Sequence, residues 1–466
     1  KSAKLKVQDV EDSLQRVLLR AQVIINEATG RHITNEAMLQ QLDMLRDAMY
    51  QGNYILDTFR YQSNDVEDAK DPVVSHSFPL SKVNSLKEIY SSNRKTQNLE
   101  QLQDALHNLN SMILDVKELV VFLTSYPCLY RQPYSMHLLL SNYMFGRQME
   151  AQLVISFLLN TQPCGSEELE VLPIVGPYRV GKSTLVSHVC KNERVHDHFS
   201  EILFLDGHEF TYFDLTTLIK GCAMEHQDNV LTSKKDRRLL VVVELVGEVN
   251  EDAWNRFYSS CKQRLPRGSK IVVTSRSDRI VKFGTTSPLC LKHMPHEEYW
   301  YFFKTLTFET MDPKMHPRFA NLAMEMARML GFCLIGANLT ASLLRTNFDI
   351  HFWCKVLTFI RGSTQKNISK HDGHPFHRIN QNKPPQCWRM TSPSKDLVLY
   401  CDFERLSHQE APRIKFQDVI FGKVRPHGKF ELLSWRSRIP PYYSYVASCE
   451  IREPKTAATK RKRSTN

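Results

Sequence analysis

Leu172-Pro173-Ile174-Val175-Gly176-Pro177-Tyr178-Arg179-Val180-Gly181-Lys182-Ser183-Thr184-Leu185-Val186 is the stretch whose reading decides the centre of the chain. An apolar run of strand character leads into G-x-x-x-x-G-K-S, and a helix-like run follows. Strand, glycine-bracketed loop and helix in that order make the setting of a Walker A phosphate-binding loop. Gly176 and Gly181 let the backbone curl so that successive N–H groups point inward at phosphate oxygens. Lys182 brings a point charge to the β- and γ-phosphates, and Ser183 offers a hydroxyl to Mg²⁺. The helix that starts there adds its positive dipole end. The candidate nucleotide contacts in this loop are Gly176, Pro177, Arg179, Val180, Gly181, Lys182, Ser183 and Thr184. A bare match to the pattern arises by chance in roughly a few per cent of chains this long, and the flanking signals lower that further.

Three more apolar runs extend the reading. Arg238-Leu239-Leu240-Val241-Val242-Val243-Glu244-Leu245 reads as a buried parallel strand that ends in a carboxylate, as a Walker B strand does. Glu244 is therefore a second candidate Mg²⁺ ligand beside Ser183. The next position, where a second carboxylate would orient an attacking water, is Leu245, so slow hydrolysis or none is expected. Lys270-Ile271-Val272-Val273-Thr274-Ser275-Arg276 ends in an arginine placed to reach a γ-phosphate, against the plainer reading of an exposed strand-end side chain. With Ile202-Leu203-Phe204-Leu205, these runs alternate with helical stretches. The fold class is α/β, a P-loop NTPase with a parallel sheet and covering helices.

Upstream, apolar residues recur at 3-and-4 spacing: Leu14, Val17, Leu18, Ala21, Ile24 and Ile25, then Met38, Leu42, Leu45, Met49, Leu56 and Phe59. After a polar connection from Gln62 to Lys95, the period returns at Leu99, Leu102, Leu106, Leu109, Ile113, Val116, Leu119 and Leu123. Such amphipathic helices bury their stripes against one another as a bundle. The 466 residues are 42% hydrophobic and 24% charged, with 17 Gly, which excludes collagen-like and wholly disordered chains. No apolar run approaches the roughly 18–20 residues of a transmembrane helix. Eleven scattered cysteines without C-x-x-C indicate neither a disulfide scaffold nor a zinc module, and fit a reducing compartment. The net charge of +11 permits acidic partners without specifying one. The chain opens on Lys1 rather than Met and reads as a fragment.

Beyond Phe359 the composition changes. Arg361 to Pro385 reads as a polar linker, and its His371, Asp372, His374 and His377 are read as a solvated turn rather than a metal site. From Asp396 to Ile451 short runs, including Leu397-Val398-Leu399-Tyr400, Val419-Ile420-Phe421 and Lys429-Phe430-Glu431-Leu432-Leu433, predict a small sheet. Pro440-Pro441-Tyr442-Tyr443-Ser444-Tyr445 is read as sheet aromatics. Lys460-Arg461-Lys462-Arg463 is a compact basic run with the look of a nuclear import signal.

In family order from about Val10 to about Leu344, the chain resembles plant coiled-coil NB-ARC (NLR) disease resistance proteins. Leu45-Arg46-Asp47-Ala48-Met49-Tyr50 through Tyr54-Ile55-Leu56-Asp57-Thr58-Phe59-Arg60 is similar to the acidic helix segment of that coiled-coil domain, with Gly52 and Asn53 where acidic residues are usual. Phe145-Gly146-Arg147-Gln148-Met149-Glu150 resembles the segment that opens the nucleotide domain and lies against adenine, which implies Phe145, Gly146 and Arg147 as further nucleotide contacts. By the same resemblance Arg276 is the phosphate sensor. Glu298 to Phe303 matches another family segment. The departures are Glu244-Leu245 for the Walker B acidic pair, Gly331-Phe332-Cys333-Leu334-Ile335 for G-L-P-L-A, no recognisable M-H-D or winged helix, and no leucine-rich repeat period. The resemblance therefore implies a truncated or degenerate receptor.

The implied organisation is an Rx-type-like four-helix-bundle or coiled-coil domain at 1–125 and a P-loop domain at 140–310. A helical ARC-like segment follows at 311–360, then a linker at 361–395, a β-rich region at 396–455 and a basic tail at 456–466. The implied function is an adenine-nucleotide (ADP or ATP, with Mg²⁺) switch in plant defence, cytoplasmic or partly nuclear. It would engage protein partners through the N-terminal helices and form homo- or hetero-oligomers, and nucleic acid is not indicated. The alternatives are a non-hydrolysing adaptor or decoy that pairs with full-length receptors, and a turnover enzyme such as a kinase or nucleic-acid ATPase, against which Leu245 argues.

Overall fold

The computed structural model describes residues 2–62, 84–127, 144–160, 168–206, 238–245, 250–371, 386–388, 396–405, 411–439 and 442–452. They fall into two compact units, one running to Phe302 with Ile439 added, the other starting at Phe303.

The first unit begins with helices α1 (Ser2–Thr29), α2 (Glu36–Gln62), α3 (Asn84–Asp115) and α4 (Lys117–Leu123). Asn35 starts α2 by accepting from the Met38 amide at 3.2 Å, which satisfies one of the amides a helix start leaves unpaired. The apolar stripes meet as their spacing predicts: Leu14, Leu18, Ala21, Leu45, Met49, Leu102, Leu109 and Leu119 are all buried. Each such leucine contributes about 2 kcal/mol of apolar burial. The expected connection from Gln62 to Lys95 is corrected at its far end, since α3 already starts at Asn84. Residues 84–95 hold Leu86, Ile89 and Tyr90 at helical spacing and no Pro or Gly, so the helix of the amphipathic stretch downstream extends back through them.

The nucleotide-domain part holds α5 (Gln148–Leu159), β1 (Glu170–Val175), α6 (Lys182–Cys190), α7 (Glu193–His198), β2 (Glu201–Asp206), β3 (Leu239–Leu245), α8 (Glu251–Arg264), β4 (Lys270–Ser275), β5 (Leu289–Cys290) and α9 (His296–Phe308). Among the described residues the five strands form one sheet in the order β2-β3-β4-β1-β5, and every pairing is parallel. Alternate residues feed two cores. Leu172, Ile174, Leu240, Val242 and Val272 face one layer, while Val171, Val175, Val241, Val243, Ile271 and Val273 face the other. A sheet covered on both faces needs continuous apolar strands, which is how these runs read. The chain leaves β1 for β2 on one side and reaches β5 on the other, so a crevice opens at the carboxyl end of β1.

The second unit stacks α10 (Pro317–Met329), α11 (Leu334–Thr346) and α12 (Ile350–His371) with an antiparallel sheet of β6 (Gln386–Trp388), β7 (Asp396–Arg405), β9 (Ser444–Arg452) and β8 (Lys429–Arg436) in that order. Two expectations are corrected here. Residues 361–371, expected as linker, continue α12; buried Asn367 satisfies its amide locally on the Ser363 carbonyl at 2.9 Å, so a polar composition is compatible with helix. Val419-Ile420-Phe421, expected as strand, closes the short helix α13 (Phe416–Ile420). Its buried Val419 and Ile420 pack with Leu432, Ala447 and Cys449 of the sheet, and three apolar residues alone do not distinguish the two periods. Asp372, His374, His377, Pro440, Pro441 and the basic run Lys460–Arg463 lie outside the described residues. Among those described, no helix is long and apolar enough to cross a membrane.

Gly52 of α2 packs against leucines of both α1 and α3: a Cβ there would sit 2.8 Å from Leu109 Cδ1 and 3.0 Å from Leu18 Cδ2. This contact explains why an acidic residue is absent at that position. Gly52→Asp would put a carboxylate among leucines without a partner, and should lower stability by about 3 kcal/mol, read as a fall in urea midpoint. An unchanged midpoint would show that the helices are not packed this closely.

Candidate nucleotide-binding site

The loop from Gly176 to Gly181 connects β1 to α6 at the sheet's carboxyl edge. Gly176 lies where a Cβ would meet the Leu291 carbonyl oxygen at 2.6 Å, and its amide reaches the Ser275 carbonyl of the neighbouring strand at 3.3 Å. Gly181 caps α6 at φ +100°, a conformation that side chains resist. Val180 anchors the loop by burying its side chain in the core with Leu185. Thr184 lies in the first turn of α6, next to Ser183.

Inside this turn the Lys182 amine donates to the Gly176 carbonyl at 2.7 Å and to the Pro177 carbonyl at 2.8 Å. Burial pulls its pKa down to about 8, with Arg276 adding to the fall and Glu244 opposing it. Ser183 donates its hydroxyl to Glu244 at the end of β3. A hydroxyl and a carboxylate held together at the start of a helix are hard oxygen donors that fit Mg²⁺. Leu245, one residue on, is buried in the core with Val243 and Ile271. That position therefore faces away from the loop.

Arg276 follows β4 directly, and its guanidinium lies 5.0 Å from the Tyr178 ring centroid. Arg179 projects from the loop with φ +57°. One strand-end residue went unnoticed in the sequence: Asp206 ends β2 opposite Glu244. Its position shows only once the strands are in register.

Phe145, Gly146 and Arg147 occupy a second cluster beside the loop. Met144 ties the two together, its methyl lying 3.2 Å from where a Cβ on Gly181 would be. Phe145 packs on Tyr50 of α2 with ring centroids 5.6 Å apart, and on Phe302 at 5.2 Å. Arg147 donates to Glu150 at 2.7 Å and to the Lys292 carbonyl. Gly146, at φ +67°, leaves room for Glu298, whose Oε1 would sit 2.2 Å from a Cβ there. Glu298 is buried, and Arg46 of α2 and Arg147 oppose its loss of charge while Asp47 and Glu150 favour it. Two more bonds hold the bundle to α9: Trp300 Nε1 donates to Asp57 at 2.9 Å, and the Tyr301 hydroxyl donates to Gln22 at 3.0 Å. Only the tertiary contact reveals Glu298 and Asp57 as partners of this region.

Burial, the dominant cause, raises the Glu298 pKa to about 7. The folded chain then keeps a proton that the unfolded chain releases near pH 4.5, so stability falls as pH rises from 4.5 through 7 and is flat above. Glu298→Gln removes that dependence. The melting temperature of the variant minus that of the wild type should grow between pH 5 and 7.5; a constant offset over that range would contradict the assignment.

With this geometry in view, the chain matches the Rx N-terminal domain over residues 2–87 and the NB-ARC domain over residues 152–312. It is 23% identical over 225 residues to "Disease resistance protein RGA2" of Solanum bulbocastanum, an alignment covering 45% of this chain and 23% of that protein. It is 24% identical over 390 residues to "Putative disease resistance RPP13-like protein 1" of Arabidopsis thaliana, covering 74% of this chain and 34% of that protein. The chain thus spans about a quarter to a third of these relatives' length. Among solved structures, domain III of the Thermotoga maritima replication initiation protein DnaA is similar over 46% of this chain and 92% of its own, with 12% identity and a TM-score of 0.30. Two consecutive domains, a nucleotide-binding loop and relatives that agree with both place the chain in the plant coiled-coil NB-ARC (NLR) family.

Proposed function

We propose that this chain is an adenine-nucleotide switch in plant defence, holding ADP in a closed form and ATP in an open, associating one. The observation that carries the reading is the Lys182 amine drawn into the loop on the Gly176 and Pro177 carbonyls, beside the Ser183–Glu244 pair. In this role the loop amides and Lys182 hold the phosphates, Ser183 and Glu244 hold Mg²⁺, and Arg276 reaches the terminal phosphate. Phe145, Gly146 and Arg147, joined to the loop through Met144, take the adenine side. The bound nucleotide supplies charge, and a γ-phosphate shifts the equilibrium only through contacts that ADP lacks. The same cluster at Phe145 and Glu298 carries the bundle, which offers a route from the nucleotide to the N-terminal helices.

Hydrolysis is slow in this reading because Leu245, turned into the core, cannot orient a water. That feature also favours a second reading, a non-hydrolysing adaptor or decoy that pairs with longer family members through the bundle. Both readings place the chain in the cytoplasm, with homo- or hetero-oligomers as the associating form.

Lys182→Ala removes a charge-assisted contact and should weaken ADP and ATP binding about 100-fold by calorimetry with magnesium. No heat from either nucleotide with folded wild-type protein would end the nucleotide reading. For the switch itself, the mass distribution in solution should move to larger species when ADP is exchanged for ATP. An identical distribution, with partner capture intact in Lys182→Ala, selects the adaptor.

A further inference from the structure

Tyr178 lies within the phosphate loop and has no role in the account above. Its ring carries two guanidiniums that arrive from different parts of the chain. Arg276 Cζ, from the residue after β4, is 5.0 Å from the centroid, and Arg179 Cζ, from the loop itself, is 5.2 Å away. Distances under about 6 Å bring a cation within reach of the ring's negative face. The pairing unites the one residue expected to sense the terminal phosphate with the one cation the loop adds between its glycines.

Arg179 holds that place at a backbone cost. Its φ of +57° is a left-handed conformation that glycine adopts freely and arginine does not. Strain of this kind persists where the surroundings over-determine it, and the Tyr178 ring is one of the contacts around Arg179. Lys182 is close enough to Arg276 for that charge to act on its amine. The loop mouth therefore gathers Lys182, Arg179 and Arg276, with the aromatic ring as the element shared by the two arginines.

We propose that Tyr178 is a positioning residue, an aromatic platform that holds Arg276 and Arg179 over the phosphate loop and so favours a nucleoside triphosphate over a diphosphate. The inference rests on the nucleotide reading of the loop and adds to it the residue that sets the phosphate count. A flexible arginine loses side-chain entropy when it grips a phosphate. Two arginines already ordered on one ring lose less, and the gain falls on the terminal phosphate, which only the triphosphate has. The platform needs a π-face and not the phenol hydroxyl.

The test uses the full chain with Mg²⁺ and compares ADP with the non-hydrolysable triphosphate AMP-PNP by calorimetry. Tyr178→Leu should weaken AMP-PNP binding about 5-fold and leave ADP binding unchanged, while Tyr178→Phe keeps the wild-type ratio. Arg276→Ala should lower AMP-PNP affinity in the wild type more than in the Tyr178→Leu background, because the ring acts through that arginine. Equal losses for both nucleotides in Tyr178→Leu, or a Tyr178→Phe protein that behaves like Tyr178→Leu, would overturn the platform. If Tyr178→Leu does not fold, Tyr178→Gln, which keeps a side chain of similar reach without a π-face, decides: an unchanged triphosphate-to-diphosphate ratio overturns the proposal and a fallen one supports it. A wild type that binds neither nucleotide defeats the loop reading and the platform together, whereas wild-type binding lost in Lys182→Ala but an unchanged ratio in Tyr178→Leu defeats the platform alone.

Discussion

A buried ammonium held inside a glycine-bracketed loop at the sheet's carboxyl edge is the constraint around which the first unit is organised. Lys182 lies almost wholly out of water, 9% exposed, and among the described residues its amine is bonded to two backbone carbonyls of its own loop. Burying a cation is costly, and burial, with Arg276 nearby, lowers the pKa of this amine while Glu244 opposes the fall. The proposed nucleotide would bring the negative charge that this arrangement lacks. Everything near it serves the same end: Val180 sinks into the core to fix the loop, Gly181 turns the chain into the helix, and the strand ends bring Glu244 and Arg276 alongside. Parallel strands put all their carboxyl ends on one edge, so a single sheet delivers these groups to one crevice without any of them being adjacent in sequence.

The bundle is not a separate body hung from this domain. α2 contributes Tyr50 to the aromatic group around Phe145, Arg46 to the buried charges around Glu298, and Asp57 to the Trp300 indole. These contacts bury polar groups whose satisfaction depends on both sides being present. Arg46 Nε, Glu150 Oε2 and Glu298 Oε1 are buried without a hydrogen-bond partner among the described residues. Buried polar groups left partly satisfied are weak points in an otherwise apolar interface.

Much of this was legible in one dimension. Strands β1, β3 and β4 read as continuous apolar runs because each faces a covered layer on both sides. The helices of the bundle read from their 3-and-4 spacing because one stripe of each is buried. The corrected segments were hidden for different reasons. Residues 84–95 hold a short set of apolar residues (Leu86, Ile89 and Tyr90) in a polar surround, and 361–371 are helical without a stripe, since a helix can extend from a well-anchored neighbour through a polar stretch. Val419 and Ile420 are too short a run to show a period.

The phosphate loop was legible in the same way, because its chemistry is local: the four residues between Gly176 and Gly181, with Lys182 and Ser183 directly after them, carry the amides, the amine and the hydroxyl. Which side chains meet across the fold was not. Trp300 and Asp57 are 243 positions apart, Glu298 meets Gly146 only because α9 returns past the segment before α5, and Tyr178 shares its ring with Arg276 because β1 and β4 are hydrogen-bonded neighbours. Residue type and spacing carry information about a turn or a helix face. They carry none about which strand lies beside which, because that choice is made by the packing of two cores that no single segment contains.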